Sequence, residues 1–259
     1  MPSRTSLMVF GSAILLGAAS VRAEESKNDA KASEIAQTMM KAMGGQNAWN
    51  AARFVRYDFK VTAGGKTAVD RSHLWDKHTG RYRLEQKIKT GESQVVLFNT
   101  ATKQGTVFIN HKKIDGDEAA GALKDAYGAF INDMYWLAIP WKWMDSGVHL
   151  KYAGTQQRGG VAFDVVQLSF DQVGLTPGDQ YKAFISPVSH LMTHWEYTLQ
   201  GGNKGSWDWQ YEDAGGGVKL AGNHTSEDGK SIDMGTVRVL SAVADEYFTD
   251  PSRTLQTLK

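Results

Sequence analysis

Val55, Tyr57, Phe59 and Val61 alternate with Arg56, Asp58 and Lys60, the period of two that a strand covered on one face requires. Alternation or β-rich composition returns at 72–75, 82–89, 94–99 and 105–110. It resumes at 148–152, 162–170, 181–185, 191–199, 205–211, 218–224 and 231–240. Gly64-Gly65, Thr79-Gly80, Thr90-Gly91, Gly201-Gly202 and Gly215-Gly216-Gly217 punctuate these runs as turns. Two stretches change period. Over 28–43, Ala32, Ile35, Ala36, Met39, Met40 and Met43 recur at helical spacing, with Asn28 or Asp29 as N-cap and Gly44-Gly45 as stop. A short helical turn follows over 47–52. Over 117–138, Leu123, Ala126, Tyr127, Phe130, Ile131 and Met134 return to helical spacing before Pro140 ends the run. The pattern predicts a mainly β protein: a large curved antiparallel sheet, or unclosed β-barrel, with two helical segments covering its concave face.

The same alternation sorts the aromatic residues. Trp207, Trp209 and Tyr211 share one face of their strand, and Leu191, Thr193, Trp195, Tyr197 and Leu199 share one face of theirs. One surface of the sheet is therefore strongly aromatic, and a concave surface of that kind is filled either by the protein's own helices or by an apolar guest. The densest aromatic segment, 130–143, holds Trp136, Trp141 and Trp143 and reads as a cap over that surface, either plug or gate.

The N-terminus carries Arg4, an apolar run of 13 residues from 7 to 19, and Val21-Arg22-Ala23. That is the layout of a cleavable export signal ending at Ala23, too short to span a bilayer. Residues 24–259 are then one domain, exported to the periplasm or secreted. Taking Arg4 and Arg22 from 29 basic residues leaves 27 against 28 acidic, a balance that offers no footprint for nucleic acid or an anionic membrane. The absence of cysteine excludes disulfides, thiolate chemistry and a lipid-modified cysteine anchor.

Catalytic motifs are sparse. His190 and His194 have the spacing of a helical zinc pair but lie in a strand pattern, where four residues span about 13 Å and one ion needs both ligands at about 2 Å. His73 and Asp76 stand close in sequence, with His78 in the following turn. No G-x-S-x-G elbow or phosphate-binding loop is present. The reading is of no enzyme, no cofactor and no metal, with a small hydrolase using His73, Asp76, His190 or His194 as the alternative.

A helix ending in Gly44-Gly45 before Trp49, and the segment Asn132-Asp133-Met134-Tyr135-Trp136-Leu137-Ala138-Ile139-Pro140, resemble an exported branch of the periplasmic lipoprotein-carrier (LolA/LolB-like) superfamily that has no assigned activity. The resemblance implies an unclosed β-barrel under helices, an apolar cavity that takes acyl chains in the carriers and serves signalling in a sensor-type relative, and no cofactor. The carriers' lid-locking arginine has no motif match at Arg53 or Arg56. The expectation is a soluble exported binder that shelters an acyl chain or other apolar group, with no membrane insertion. A second possibility is an envelope sensor module that meets a protein partner through its aromatic segment. The residues expected to line the site are Tyr57, Phe59, Trp75, Leu97, Tyr135, Trp136, Trp195, Trp207 and Trp209.

Overall fold

The computed structural model of the protein describes residues 29–171 and 178–258, so the expected export signal at 1–23 lies outside them. The chain opens with α1 (Ala30–Ala42) and the short α2 (Gln46–Ala51), and then runs through β1 (Phe54–Ala63), β2 (Lys66–Asp76), β3 (Arg81–Lys87), β4 (Ser93–Asn99), β5 (Gly105–Ile109) and β6 (Lys112–Ile114). The long α3 (Gly116–Ala138) and a 3₁₀ turn (Ile139–Lys142) interrupt the strands. These resume as β7 (Val148–Arg158), β8 (Val161–Phe170), β9 (Gln180–Ile185), β10 (Met192–Thr198), β11 (Lys204–Asp213), β12 (Lys219–Ser226), β13 (Ser231–Asp233) and β14 (Arg238–Leu240). A final helical turn is α4 (Glu246–Thr249).

The described strands form one 14-stranded antiparallel sheet in the order β6-β5-β4-β3-β2-β1-β13-β12-β11-β10-β9-β8-β7, with β14 on β1. It does not close into a barrel. Its two edges, β6 and β7, are the strands that flank α3 in sequence, so α3 links one edge to the other across the hollow. The expected strand over 231–240 is two strands with a break. Asp58 on β1 accepts from Thr236 N at 3.0 Å while Gly235, at φ 55°, turns the chain. Expected strand 72–75 extends back to Lys66, because the Gly64-Gly65 turn makes β1 and β2 one long hairpin.

The inner face carries one large core. Ala32, Ile35, Ala36, Met39 and Met40 of α1 meet it through the predicted stripe. Asp29 is the N-cap and accepts from Ala32 N at 2.6 Å. It also binds the outer edge of β7: its N–H donates to Leu150 O at 3.2 Å, and its carboxylate accepts from Tyr152 N at 2.5 Å. The helix ends at Gly44, whose φ of 119° suits glycine and whose missing Cβ would sit 1.8 Å from Gly217 O. The two glycine runs therefore meet as bare backbone.

The outer face of β1–β3 holds a second, smaller core of Phe54, Leu74, Phe248 and Leu255. The C-terminal segment supplies its cover. Arg83, fully buried, donates to the carbonyls of Tyr247 (3.1 Å), Asp250 (2.8 Å) and Arg253, while Glu85 accepts from Leu255 N at 3.1 Å. The sequence reading assigned no element after residue 240.

Candidate functional site

Eight of the nine expected site residues lie on or over the inner face. Tyr57 and Phe59 stand there on β1, Trp75 on β2, Trp195 on β10, and Trp207 and Trp209 on β11, while Tyr135 and Trp136 reach it from α3. Leu97 does not. It pairs with Arg83 on the outer face, and its neighbours Val96 and Phe98 take the inner positions. The reason is that β4 is buried from Gln94 through Phe98, so no polar alternation marks which side is which. A bulge between Met192 and His194 likewise puts Met192, fully buried in the inner core, in phase where alternation expected Thr193.

Trp136 fills the hollow on the β10–β12 side. Its ring lies 5.1 Å from Trp195 and 5.0 Å from Trp207, both edge-on, and 6.0 Å from Trp209, stacked. His224 of β12 closes this cage, 4.2 Å from Trp209 and 5.2 Å from Trp136. Burial lowers the His224 pKa to about 3, only partly offset by the Trp136 backbone, so the imidazole is neutral at ordinary pH. The expected apolar cavity is thus occupied by the protein's own side chains, with α3 as the plug.

On the β1–β4 side, α3 is held by polar groups. Asp133 occupies a core position of the helix and is fully buried. Arg71 of β2 grips it, with Nη2 donating to Oδ1 at 2.9 Å and Nε lying 2.8 Å from Oδ2. Asn132 donates to Oδ1 at 2.9 Å. His73 Nε2 lies 3.1 Å from Oδ2, off the line of an ideal hydrogen bond, while its Nδ1 is 2.8 Å from the Tyr82 hydroxyl. Tyr82 in turn is 2.7 Å from the Tyr57 hydroxyl. With His73 neutral and Nε2 protonated, Tyr57 donates to Tyr82 and Tyr82 to His73 Nδ1, while the Nε2 proton faces the Asp133 carboxylate in a close electrostatic contact. Burial lowers the His73 pKa against the opposing pull of Asp133, and burial raises both tyrosines. Such a series positions a helix; it offers no exposed nucleophile, since His73, Tyr57 and Tyr82 are sealed from solvent.

The sequence missed Arg71, Asp133 and Tyr82. One signal for Asp133 was legible: its position falls in the stripe of Ala126, Ala129, Phe130, Met134 and Leu137, where a carboxylate requires a partner.

The residues of the hydrolase alternative are dispersed. Asp76 points to the outer face, tied to Arg53 at 3.1 Å and Arg81 at 3.0 Å, while His73 points inward. His190 stands in a turn at φ 58°. His194, on the outer face, does meet an acid and a hydroxyl: Nδ1 lies 2.7 Å from Asp208, and Nε2 lies 3.2 Å from Ser206. Arg158 donates to the same Nε2 at 2.9 Å, however, taking the lone pair a general base would use, and burial lowers the His194 pKa. Ser206 sits mid-strand, away from any strand-to-helix turn that would aim backbone donors at a substrate. Among the described residues, no group of three or more His, Asp or Glu side chains is placed to hold a metal ion.

A groove of about 970 Å³, whose lining includes Lys151, Gln167, Lys182, Glu196 and Ser206 together with Leu168, Tyr197 and Trp207, crosses β7–β11. A crevice of about 440 Å³ lies where α1, α2, α3 and the 3₁₀ turn meet the end of β2. Among the described residues no helix is long and apolar enough to cross a membrane.

Fold and site together define an open antiparallel half-barrel whose hollow is stopped by a helix. Its neighbours among solved structures include DUF1329 and LolA-superfamily proteins. A DUF1329 family protein from Desulfovibrio piger is 10% identical, over 84% of this chain and 95% of that one, with a TM-score of 0.47. An outer membrane lipoprotein-sorting protein domain from Vibrio parahaemolyticus is 12% identical, over 85% and 97%, with a TM-score of 0.44. A LolA superfamily protein from Nitrosomonas europaea is 11% identical, over 83% and 97%, with a TM-score of 0.43. No family profile and no curated protein sequence matches the chain. Likeness at such identity concerns the path of the chain alone.

Proposed function

We propose that the protein is an exported, carrier-like binder that shelters an acyl chain or similar apolar group in the hollow of its sheet, with no catalysis and no cofactor. The observation that carries this reading is the way the hollow is filled. Trp136, on a helix that bridges the two open edges, occupies a cage whose walls are Trp195, Trp207 and Trp209. An apolar chain can take the place of that ring if α3 swings outward.

Magnitudes set a threshold for the exchange. Removing a buried Trp from its packing costs about 3–5 kcal/mol, and each methylene taken from water contributes about 0.8 kcal/mol. Chains shorter than about six methylenes cannot repay the displacement; a twelve-carbon chain exceeds it roughly twofold. Tyr57, Phe59, Trp75 and Tyr135 are the further contacts expected on the same inner face. Leu97, on the outer face, is not among them.

The test is calorimetric titration with alkyl alcohols of increasing length, together with native mass spectrometry of gently purified protein. Affinity that begins near six carbons and climbs with each methylene is expected, as is an apolar adduct in the mass spectrum. Absence of both would refute the reading.

A further inference from the structure

The crevice of about 440 Å³ has an unusual wall. Trp49, Trp75 and Trp141 line it together with Met40, Met134 and Met144, and Trp49 stacks on Trp141 at 5.1 Å. Four of these six, Met40, Trp49, Met134 and Trp141, belong to the inner core, and Trp75 packs against it, so the apolar part of the wall is continuous with the core that fills the hollow, while Gln46 and Asn50 make the rest of the lining polar. The volume lies in the range of ligand pockets, about 300–1,000 Å³. Thioethers and indoles suit a flexible chain, since the first adapt in shape and the second provide flat apolar area. The indole N–H of Trp75 is buried with no hydrogen-bond partner among the described residues.

Charge marks the rim. Lys77 and Lys142 both line the crevice, with Asp145 as the acidic residue beside them. Asp145 is already paired with Lys142. Lys77 has no carboxylate partner among the described residues; its ammonium rests over the Trp49 ring, 4.6 Å from the centroid. Burial, and secondly the like charge of Lys142, lower its pKa. An ammonium that is half withdrawn from water, faced by another cation and without a counter-ion gains more than a solvated lysine does when an anion arrives.

From this juxtaposition we infer that the crevice is the head-group end of the binding site, and that it selects an anionic single-chain amphiphile whose carboxylate or phosphate meets Lys77 while the alkyl chain follows the Trp and Met wall inward. The inference rests on the carrier-like reading and adds to it a head-group charge, a point of access and a residue that discriminates. Neutral chains reach the hollow without the ionic contact, and cationic chains meet repulsion from both lysines.

The absence of cysteine allows a direct test. Met144, 42% exposed at the rim, is changed to Cys (Met144→Cys) and labelled with an environment-sensitive fluorophore. Dodecanoate, dodecyl phosphate, dodecanol and dodecyltrimethylammonium are then titrated as monomers, by calorimetry and by label emission, with and without Lys77→Gln. Lys151→Gln, in the larger groove, is the charge control. The expected result is that both anions shift the label and bind about tenfold tighter than dodecanol, the cation binding weakest, and that Lys77→Gln removes the anion preference while leaving dodecanol unchanged. Equal affinities across head groups, loss of the preference in Lys151→Gln, or calorimetric binding with no change at the label would overturn the inference and leave the carrier-like reading standing. Binding of none of the four chains would remove both.

Discussion

Replacing Arg71 by methionine tests whether α3 is fixed to the sheet by one ion pair. The guanidinium makes two close contacts to a carboxylate with no solvent exposure, so Arg71→Met leaves the Asp133 charge buried with only Asn132 and His73 beside it. Removing one partner of a buried pair costs about 3–5 kcal/mol. Arg71 itself is 18% exposed in its side chain and Asp133 keeps one amide donor, which places the expected loss at the lower end, about 3 kcal/mol. That is within the roughly 5–15 kcal/mol available to a folded domain, so the variant should fold. Urea unfolding followed by tryptophan fluorescence measures the loss, and hydrogen exchange over residues 116–138 shows whether it falls on α3. Arg71→Met combined with Asp133→Leu removes the stranded charge and should recover at least half of the lost stability, giving a coupling above about 1 kcal/mol in the double-mutant cycle. A loss under about 1 kcal/mol for Arg71→Met, with unchanged exchange in α3, would show that packing alone seats the helix.

Two further outcomes follow from buried groups. The folded pKa of His224, about 3, lies below its unfolded value near 6.5, so the unfolded chain binds the proton first: stability is intact above pH 6.5 and falls by about 1.4 kcal/mol per pH unit between 6.5 and 3. Urea midpoints measured across that range should show a slope that His224→Leu reduces by close to one proton, and an unchanged slope would contradict the burial argument. Arg83→Met should free the C-terminal segment that its guanidinium holds by the carbonyls of Tyr247, Asp250 and Arg253. Cleavage by trypsin after Arg253 is expected to accelerate at least tenfold, with the inner core intact by near-ultraviolet circular dichroism.

Local pattern revealed the elements better than their partners. Alternation alone put Tyr57, Phe59, Trp195, Trp207 and Trp209 on one face, and helical spacing located α1 and α3, because each signal is carried within a single strand or turn. Register across the sheet was not legible. The junction of the two halves is β1 against β13, joining Lys60 to Asp233 over a separation that no local pattern encodes. The grip of Arg71 on Asp133 spans 62 residues and joins two polar side chains whose neighbours in sequence say nothing of each other. Leu97 was misplaced because β4 is covered on both sides, and a strand buried twice loses its phase. That uninterrupted apolar run was itself a sign that something covers the outer face. On the adjacent strands β1–β3 that cover is the C-terminal segment.

An open sheet leaves two rows of backbone donors and acceptors at its rims, the usual template for one chain to extend another. Here each rim is spoiled differently. β6 is only three residues long and begins with Lys112-Lys113, too short and too charged to seed a ladder. β7 bulges between Tyr152 and Thr155, and Asp29 takes up both the Leu150 carbonyl and the Tyr152 N–H. The capping residue of the first helix therefore also occupies the two backbone groups of β7 that a neighbouring strand would use, so one residue both starts a helix and closes a sheet edge.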